Sequence, residues 1–193
     1  LTGLGLLGDE GGFDLHEGNA GVQLDLANDL IDKIKDKDGV KSVIGRFVLP
    51  EMKRLRKKLW VLRKKRIAVW GLAFKQNTDD VRESVAIKLI KRLCDEGACV
   101  TAYDPKAAET GAAALAGYNV SIADDMYECA RDAEILVVAT EWKQFAMANL
   151  VKVREMMRLP IIFDGRNILH GENALHAGFE YHSIGRKTLR PQK

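Results

Sequence analysis

Cysteine is scarce in this sequence and carries no pattern. Cys94, Cys99 and Cys129 form an odd set without a CxxC pair, which argues against a disulfide framework or a zinc knuckle and suits a reducing, cytoplasmic setting. No apolar run approaches the roughly 18 to 20 residues that a bilayer-crossing helix needs. The opening LTGLGLLG is short, has no preceding Lys or Arg, and runs into Asp9 and Glu10, unlike a secretory signal. Charge of one sign is missing too. Thirty Lys and Arg against 27 Asp and Glu leave a net +3, too balanced for a surface devoted to nucleic acid or an anionic membrane, so any electrostatic binding has to be local. A length of 193 residues suffices for one well-buried α/β domain with an appendage and falls short of two full domains. A start at Leu1 suggests a fragment of a longer chain.

What is present falls into four stretches. Residues 1–21 hold seven of the 17 glycines, a density that predicts a loose leader. Residues 22–65 read as helical. Leu26, Leu30, Ile31 and Ile34 recur at three- and four-residue steps opposite Asp25, Asp29, Asp32 and Lys33, and a second stripe of Met52, Leu55, Leu59 and Leu62 follows Pro50. From Arg66 the pattern becomes short aliphatic runs alternating with helical stretches, the signature of a parallel sheet. Strands are expected at RIAVWG (66–71), CVTAY (99–103), 119–122, EILVVAT (134–140), PIIFD (160–164) and 180–184. The near-continuous apolar run at 134–140 belongs mid-sheet, because burial on both faces requires it. Helices are expected at 84–96, through the alanine-rich stretch after Pro105, at 126–131 and at 150–158, with Asp124 or Asp125 as a cap. The fold class is therefore α/β: a doubly wound, mostly parallel Rossmann-like sheet of about six strands over residues 66–186, preceded by one or two helices and followed by a basic tail at 187–193.

In such a sheet ligands bind at the carboxyl edge of the strands. That rule selects Phe74, Lys75, Asn77, Thr78, Asp79, Asp80 and Arg82 after the first strand, Thr140, Glu141 and Trp142 after the central one, and Asp164, Gly165, Arg166 and Asn167 after the next. Lys75 and Arg166 put two cations at one edge, where a Lys, an Arg fork and a helix N-terminus would suit a pyrophosphate. The plainer reading makes them surface cations paired with Asp79 or Glu141. Arg82 stands beside Glu83 near a helix start, where its positive charge calls for a partner.

Two look-alikes carry little. Gly3, Gly5 and Gly8 match GxGxxG without the strand and helix such a fingerprint needs, and GDEGGF (8–13) resembles an enolase loop without the rest of a barrel. The basic run from Lys53 to Arg66 fills nine of fourteen positions. It reads as a solvated helix face rather than a nucleic-acid surface, because only Trp60 could stack.

The segments KRIAVWGLAFKQNTDDVRES, GACVTAYDP, EILVVATEW, PIIFDGRNI and GFEYHSIGR together resemble the C-terminal nucleotide-sugar-binding domain of the UDP-glucose and GDP-mannose dehydrogenase family, with TEW and DGRN leaning towards the UDP-glucose branch. The resemblance implies an oxidoreductase in which NAD takes two hydrides from C6 of a UDP-sugar through a cysteine thiohemiacetal and thioester. It also implies that Phe74, Lys75 and Arg166 hold the UDP-sugar, and that Arg82 reaches NAD bound by an N-terminal domain. The family's catalytic cysteine has no counterpart, since residues 1–65 contain no cysteine. Cys94, Cys99 and Cys129 read as small core residues, so this chain alone is expected to be inactive. A homodimer through the helices before Arg66 is expected. The alternative is a non-catalytic nucleotide-binding or dimerisation module.

Overall fold

The computed structural model describes residues 61–191 together with Lys53. The glycine-rich leader and the expected helices up to residue 60, apart from Lys53, lie outside the described residues.

Six short aliphatic segments form one parallel sheet: β1 (Arg66–Trp70), β2 (Cys99–Tyr103), β3 (Val120–Ile122), β4 (Ile135–Val138), β5 (Ile161–Asp164) and β6 (Glu180–Ser183), in the order β3-β2-β1-β4-β5-β6. This is the doubly wound order, whose direction of winding reverses between β1 and β4. Every strand pair is parallel, and β1 sits between β2 (Val69 opposite Ala102) and β4 (Val69 opposite Val137). All four residues of β4 are buried, which explains its unbroken apolar run: helices cover both faces.

Six helices cross between the strands: α1 (Val85–Asp95), α2 (Ala108–Ala114), α3 (Met126–Ala130), α4 (Lys143–Ala146), α5 (Leu150–Met156) and α6 (Gly171–His176). The longest, α1, buries Ala86, Ile87, Leu89, Ile90 and Leu93, a stripe at three- and four-residue spacing. Val85, the first residue of the helix, is only partly buried and packs at the margin of that stripe. Ser84 caps the helix rather than belonging to it, and its Oγ accepts from Ala86 N at 3.1 Å and Ile87 N at 3.4 Å. Replacing the buried Ser84 by alanine is expected to lower stability by about 1 kcal/mol, the usual worth of an N-cap side chain, as read from the shift of the urea midpoint. Asp125 caps α3 in the same way, accepting from Tyr127 N and Glu128 N.

Trp70, fully buried at the end of β1, stacks on Phe145 with ring centroids 5.2 Å apart and donates Nε1 to Met126 O. The described part of the basic tail returns to the sheet. Leu189 pairs antiparallel with Tyr181, exchanging two backbone hydrogen bonds of 2.9 Å, and lays the segment after β6 along the outer side of that strand.

Cys99 corrects an expectation. It is exposed, not a core residue. It opens β2 on the face it shares with Thr101 and Tyr103, whereas Val100 and Ala102 take the buried face. Cys94 is half-buried and Cys129 is buried. Burial pushes the Cys94 thiol up to about 11 and the Cys129 thiol up to about 12, so both stay protonated and unreactive at neutral pH.

Candidate functional site: the carboxyl edge at the β1–β4 switch point

Loops leave β1, β2, β4 and β5 at the carboxyl edge and are tied together by backbone and buried side chains. The connection after β1 runs fourteen residues, 71–84, before α1 begins. Gly71 opens it with φ +99°, a conformation that favours glycine, and donates its N–H to Tyr103 O at 2.7 Å. Next, Leu72 N and Ala73 N donate to Asp104 Oδ2 at 2.7 and 3.0 Å. The loop then closes on itself, with Phe74 N donating to Asp80 O at 2.9 Å. Its tip is pinned to α2, because Thr110 Oγ1 donates to Asp79 O at 2.7 Å. Asn77 sits at φ +66°, a left-handed position that asparagine tolerates.

Asp104, immediately after β2, organises this edge. Only 2% exposed, its carboxylate accepts from Leu72 N, Ala73 N and the Trp142 indole at one oxygen, and from Lys106 N and Ala107 N at the other. Five donors saturate a buried carboxylate and make its charge tolerable. The rule that selects residues after β1, β4 and β5 applies equally to Asp104, which follows β2 and is missing from the residues selected from the sequence. Trp142, on the candidate list, serves to hold Asp104. Thr140, fully buried, donates Oγ1 to Ala73 O at 2.8 Å and so joins the β4 loop to the β1 loop.

After β5, Asp164 folds a tight loop. One oxygen accepts from Arg166 N at 2.9 Å, and the other from Leu169 N at 2.8 Å and the Tyr181 hydroxyl at 2.9 Å. Burial, followed by the neighbouring Asp164 charge, pushes the Tyr181 hydroxyl's pKa upward, so it remains a donor at ordinary pH. Asn167 makes a two-point amide contact with Ile184, donating to its O at 3.1 Å and accepting from its N at 2.9 Å. Sequence reasoning missed Tyr181, whose partner lies seventeen residues away.

This scaffold aims Arg166 across the switch point. Its Nε donates to Ala139 O at 2.9 Å, past the end of β4, and Nη2 donates to Phe74 O at 3.0 Å, past the end of β1. Glu141 Oε2 lies 3.0 Å from the same Nε. That is an ion pair by distance, but its alignment makes no hydrogen bond, because Nε already points at the carbonyl. Arg166 thus meets Phe74 directly, with Lys75 adjacent in the chain. Phe74 is 44% exposed, Lys75 is exposed, and among the described residues Lys75 forms no ion pair.

Arg82 lies on the returning limb of the loop. Its fork grips Asp80 at 3.0 and 2.7 Å, while Glu83 pairs with Lys88 at 2.8 Å. The Arg82 hydrogen bonds hold the Asp80 carboxyl down to about 2, so the carboxylate persists until the pH falls that low. Both partners are solvent-exposed, where such a pair contributes little to stability.

Known proteins match this part of the chain. The UDP binding domain of the UDP-glucose/GDP-mannose dehydrogenase family matches residues 68–171, a little over half of the chain. UDP-glucose 6-dehydrogenase of Rhizobium meliloti (strain 1021) is 42% identical over 125 residues, which make up 65% of this chain and 28% of that protein. UDP-glucose 6-dehydrogenase TuaD of Bacillus subtilis (strain 168) is 42% identical over 124 residues, 64% of this chain and 27% of that one. Among solved structures, a UDP-glucose dehydrogenase from the hyperthermophilic archaeon Pyrobaculum islandicum superposes with a TM-score of 0.59 at 31% identity, covering 70% of this chain and 28% of its own. The chain therefore spans under a third of the length of these relatives. Because the family match at residues 68–171 extends over more than half of its length, the chain belongs to the UDP-glucose/GDP-mannose dehydrogenase family and carries that family's UDP binding domain.

Proposed function

We propose that residues 66–186 hold the UDP end of a UDP-sugar at the β1–β4 edge, through Phe74, Lys75 and Arg166, as part of an NAD-dependent UDP-sugar 6-dehydrogenase. The carrying observation is the 3.0 Å contact between Arg166 Nη2 and Phe74 O, which brings three residues from two distant segments to one rim. There the guanidinium is pre-oriented by two carbonyls, and a pre-organised fork loses less freedom on gripping a phosphate. Lys75 adds a mobile point charge and Phe74 an exposed ring face for a base or sugar.

NAD does not fit this domain's own Rossmann edge. A dinucleotide needs a tight glycine-rich turn after β1 and a free acid after β2 for the ribose. Here the turn is replaced by a fourteen-residue loop, and Asp104 is filled by five donors. In this reading NAD, which supplies the hydride acceptor when bound, is held mainly by other polypeptide, and the exposed Arg82 fork reaches towards it from this side. The described thiols are not at the edge: Cys99 lies at the opposite end of β2, while Cys94 and Cys129 sit on helices. Binding without turnover is accordingly the expected behaviour of the chain by itself. A homodimer through the segment before Arg66 and a cytoplasmic setting complete the proposal.

Titration of the full chain with UDP-glucose, GDP-mannose and NAD tests it. UDP-glucose is expected to bind best and NAD not measurably. Lys75→Ala and Arg166→Ala are each expected to weaken UDP-glucose by at least ~1 kcal/mol, the scale of a charge-assisted contact. Equal affinity in wild type and both variants, by calorimetry on proteins of checked Tm, would overturn the reading.

A further inference from the structure

Glu141 is out of character for a polyanion site. It follows the buried Thr140 at the end of the β4 loop and places Oε2 3.0 Å from Arg166 Nε, yet that oxygen is shielded from solvent and accepts no hydrogen bond. A shielded carboxylate oxygen without a hydrogen bond is costly. Orienting Arg166 does not require it either, since Ala139 O and Phe74 O already fix the fork. What Glu141 does supply is negative charge that offsets the positive charge of Arg166, while Lys75 forms no ion pair among the described residues.

We infer that Glu141 is a specificity-determining residue that sets how much negative charge the β1–β4 edge accepts, favouring a nucleoside diphosphate esterified to a neutral sugar over a nucleotide with a free terminal phosphate. The inference rests on the reading of this edge as a UDP-sugar site and deepens it. A phosphate gripped by Arg166 lies within a few ångströms of the Glu141 carboxylate, so each added ligand charge meets an added repulsion. An esterified diphosphate carries one charge per phosphorus, whereas a free terminus carries about one more near neutral pH. Repulsion that grows with ligand charge discriminates by penalising the wrong ligand rather than by embracing the right one.

The test titrates UDP-glucose, UDP and UTP into the full wild-type chain and into Glu141→Gln, which keeps the shape and removes the charge. The expected result is a graded gain: UDP-glucose changes least, UDP improves about threefold more than UDP-glucose, and UTP improves further, as an interaction of this kind at intermediate dielectric allows. A uniform fall for all three ligands would make Glu141 a support for Arg166 and overturn the inference, as would three unchanged affinities. If Glu141→Gln is not folded at the assay temperature, Glu141→Met, of similar volume and also uncharged, must give the same grading. A wild-type chain that binds none of the three ligands removes the UDP-sugar reading and this inference with it. Binding by wild type with an ungraded response removes the inference alone.

Discussion

Gly71→Ala is expected to destabilise the domain by roughly 3 kcal/mol or more and to lower its Tm by about 10 °C, far beyond an ordinary glycine substitution. Two independent penalties meet at this residue. Its φ of +99° is strained for any residue with a Cβ. In addition, an added Cβ would stand 2.4 Å from Thr140 Cβ, 2.5 Å from its Oγ1 and 2.7 Å from its backbone N. Thr140 has no room to retreat, being fully buried and bonded through Oγ1 to Ala73 O. Gly117→Ala is the matched control. Its φ is +85°, with nothing within 4 Å of the added Cβ, so it carries the backbone strain alone, on the order of 1 kcal/mol. Urea denaturation of the two variants separates strain from contact. Equal losses would show that the closeness of the β1 and β4 loops contributes nothing.

Asp104→Ala carries the second large effect. Removing the carboxylate strands the Trp142 indole and the backbone N–H groups of Leu72, Ala73, Lys106 and Ala107. Unsatisfied buried donors cost on the order of 1–3 kcal/mol each before relaxation or water entry, so a net loss of about 4 kcal/mol is expected. Asp104→Asn retains one acceptor oxygen and should recover part of it. The loss extends to ligand binding, because Asp104 fixes the β1 loop just before Phe74 and, through Trp142, the β4 loop beside Glu141. UDP-glucose affinity should therefore fall in Asp104→Asn even where the variant remains folded. An Asp104→Ala protein that melts with wild type would show that water replaces the carboxylate without penalty.

These two residues mark the boundary of what the sequence discloses. Strand runs such as ILVV and the spacing of Ile87, Leu89, Ile90 and Leu93 are local signals, and local patterns place strands and helices to within a residue or two. The short helices Lys143–Ala146 and Gly171–His176 were not foreseen, since four to six residues are too few to display a period. At the proposed site, Lys75 and Arg166 stand out in the sequence as cations after strand ends on the carboxyl-edge rule, and the structure brings Arg166 to the backbone just before Lys75. The plainer pairing of Arg166 with Glu141 was legible too, and it coexists with the contact to Phe74 O. Arg82 did need a partner, but chose Asp80 over the adjacent Glu83, which Lys88 engages. The saturation of Asp104 was out of reach, because its donors come from as far as 38 positions away. Likewise the exposure of Cys99 depends on which face of the sheet its register turns it to.

The return of Leu189 alongside Tyr181 bears on colloidal behaviour. A parallel sheet that simply stopped at β6 would present a raw row of amide and carbonyl groups, an invitation to strand exchange with another molecule. By occupying part of that row, the stretch around Leu189 acts as a selvage that keeps the weave from unravelling into its neighbours. Proteolytic trimming behind Gly185 would then surface first as self-association at high concentration, before any change in UDP-glucose affinity at the proposed site.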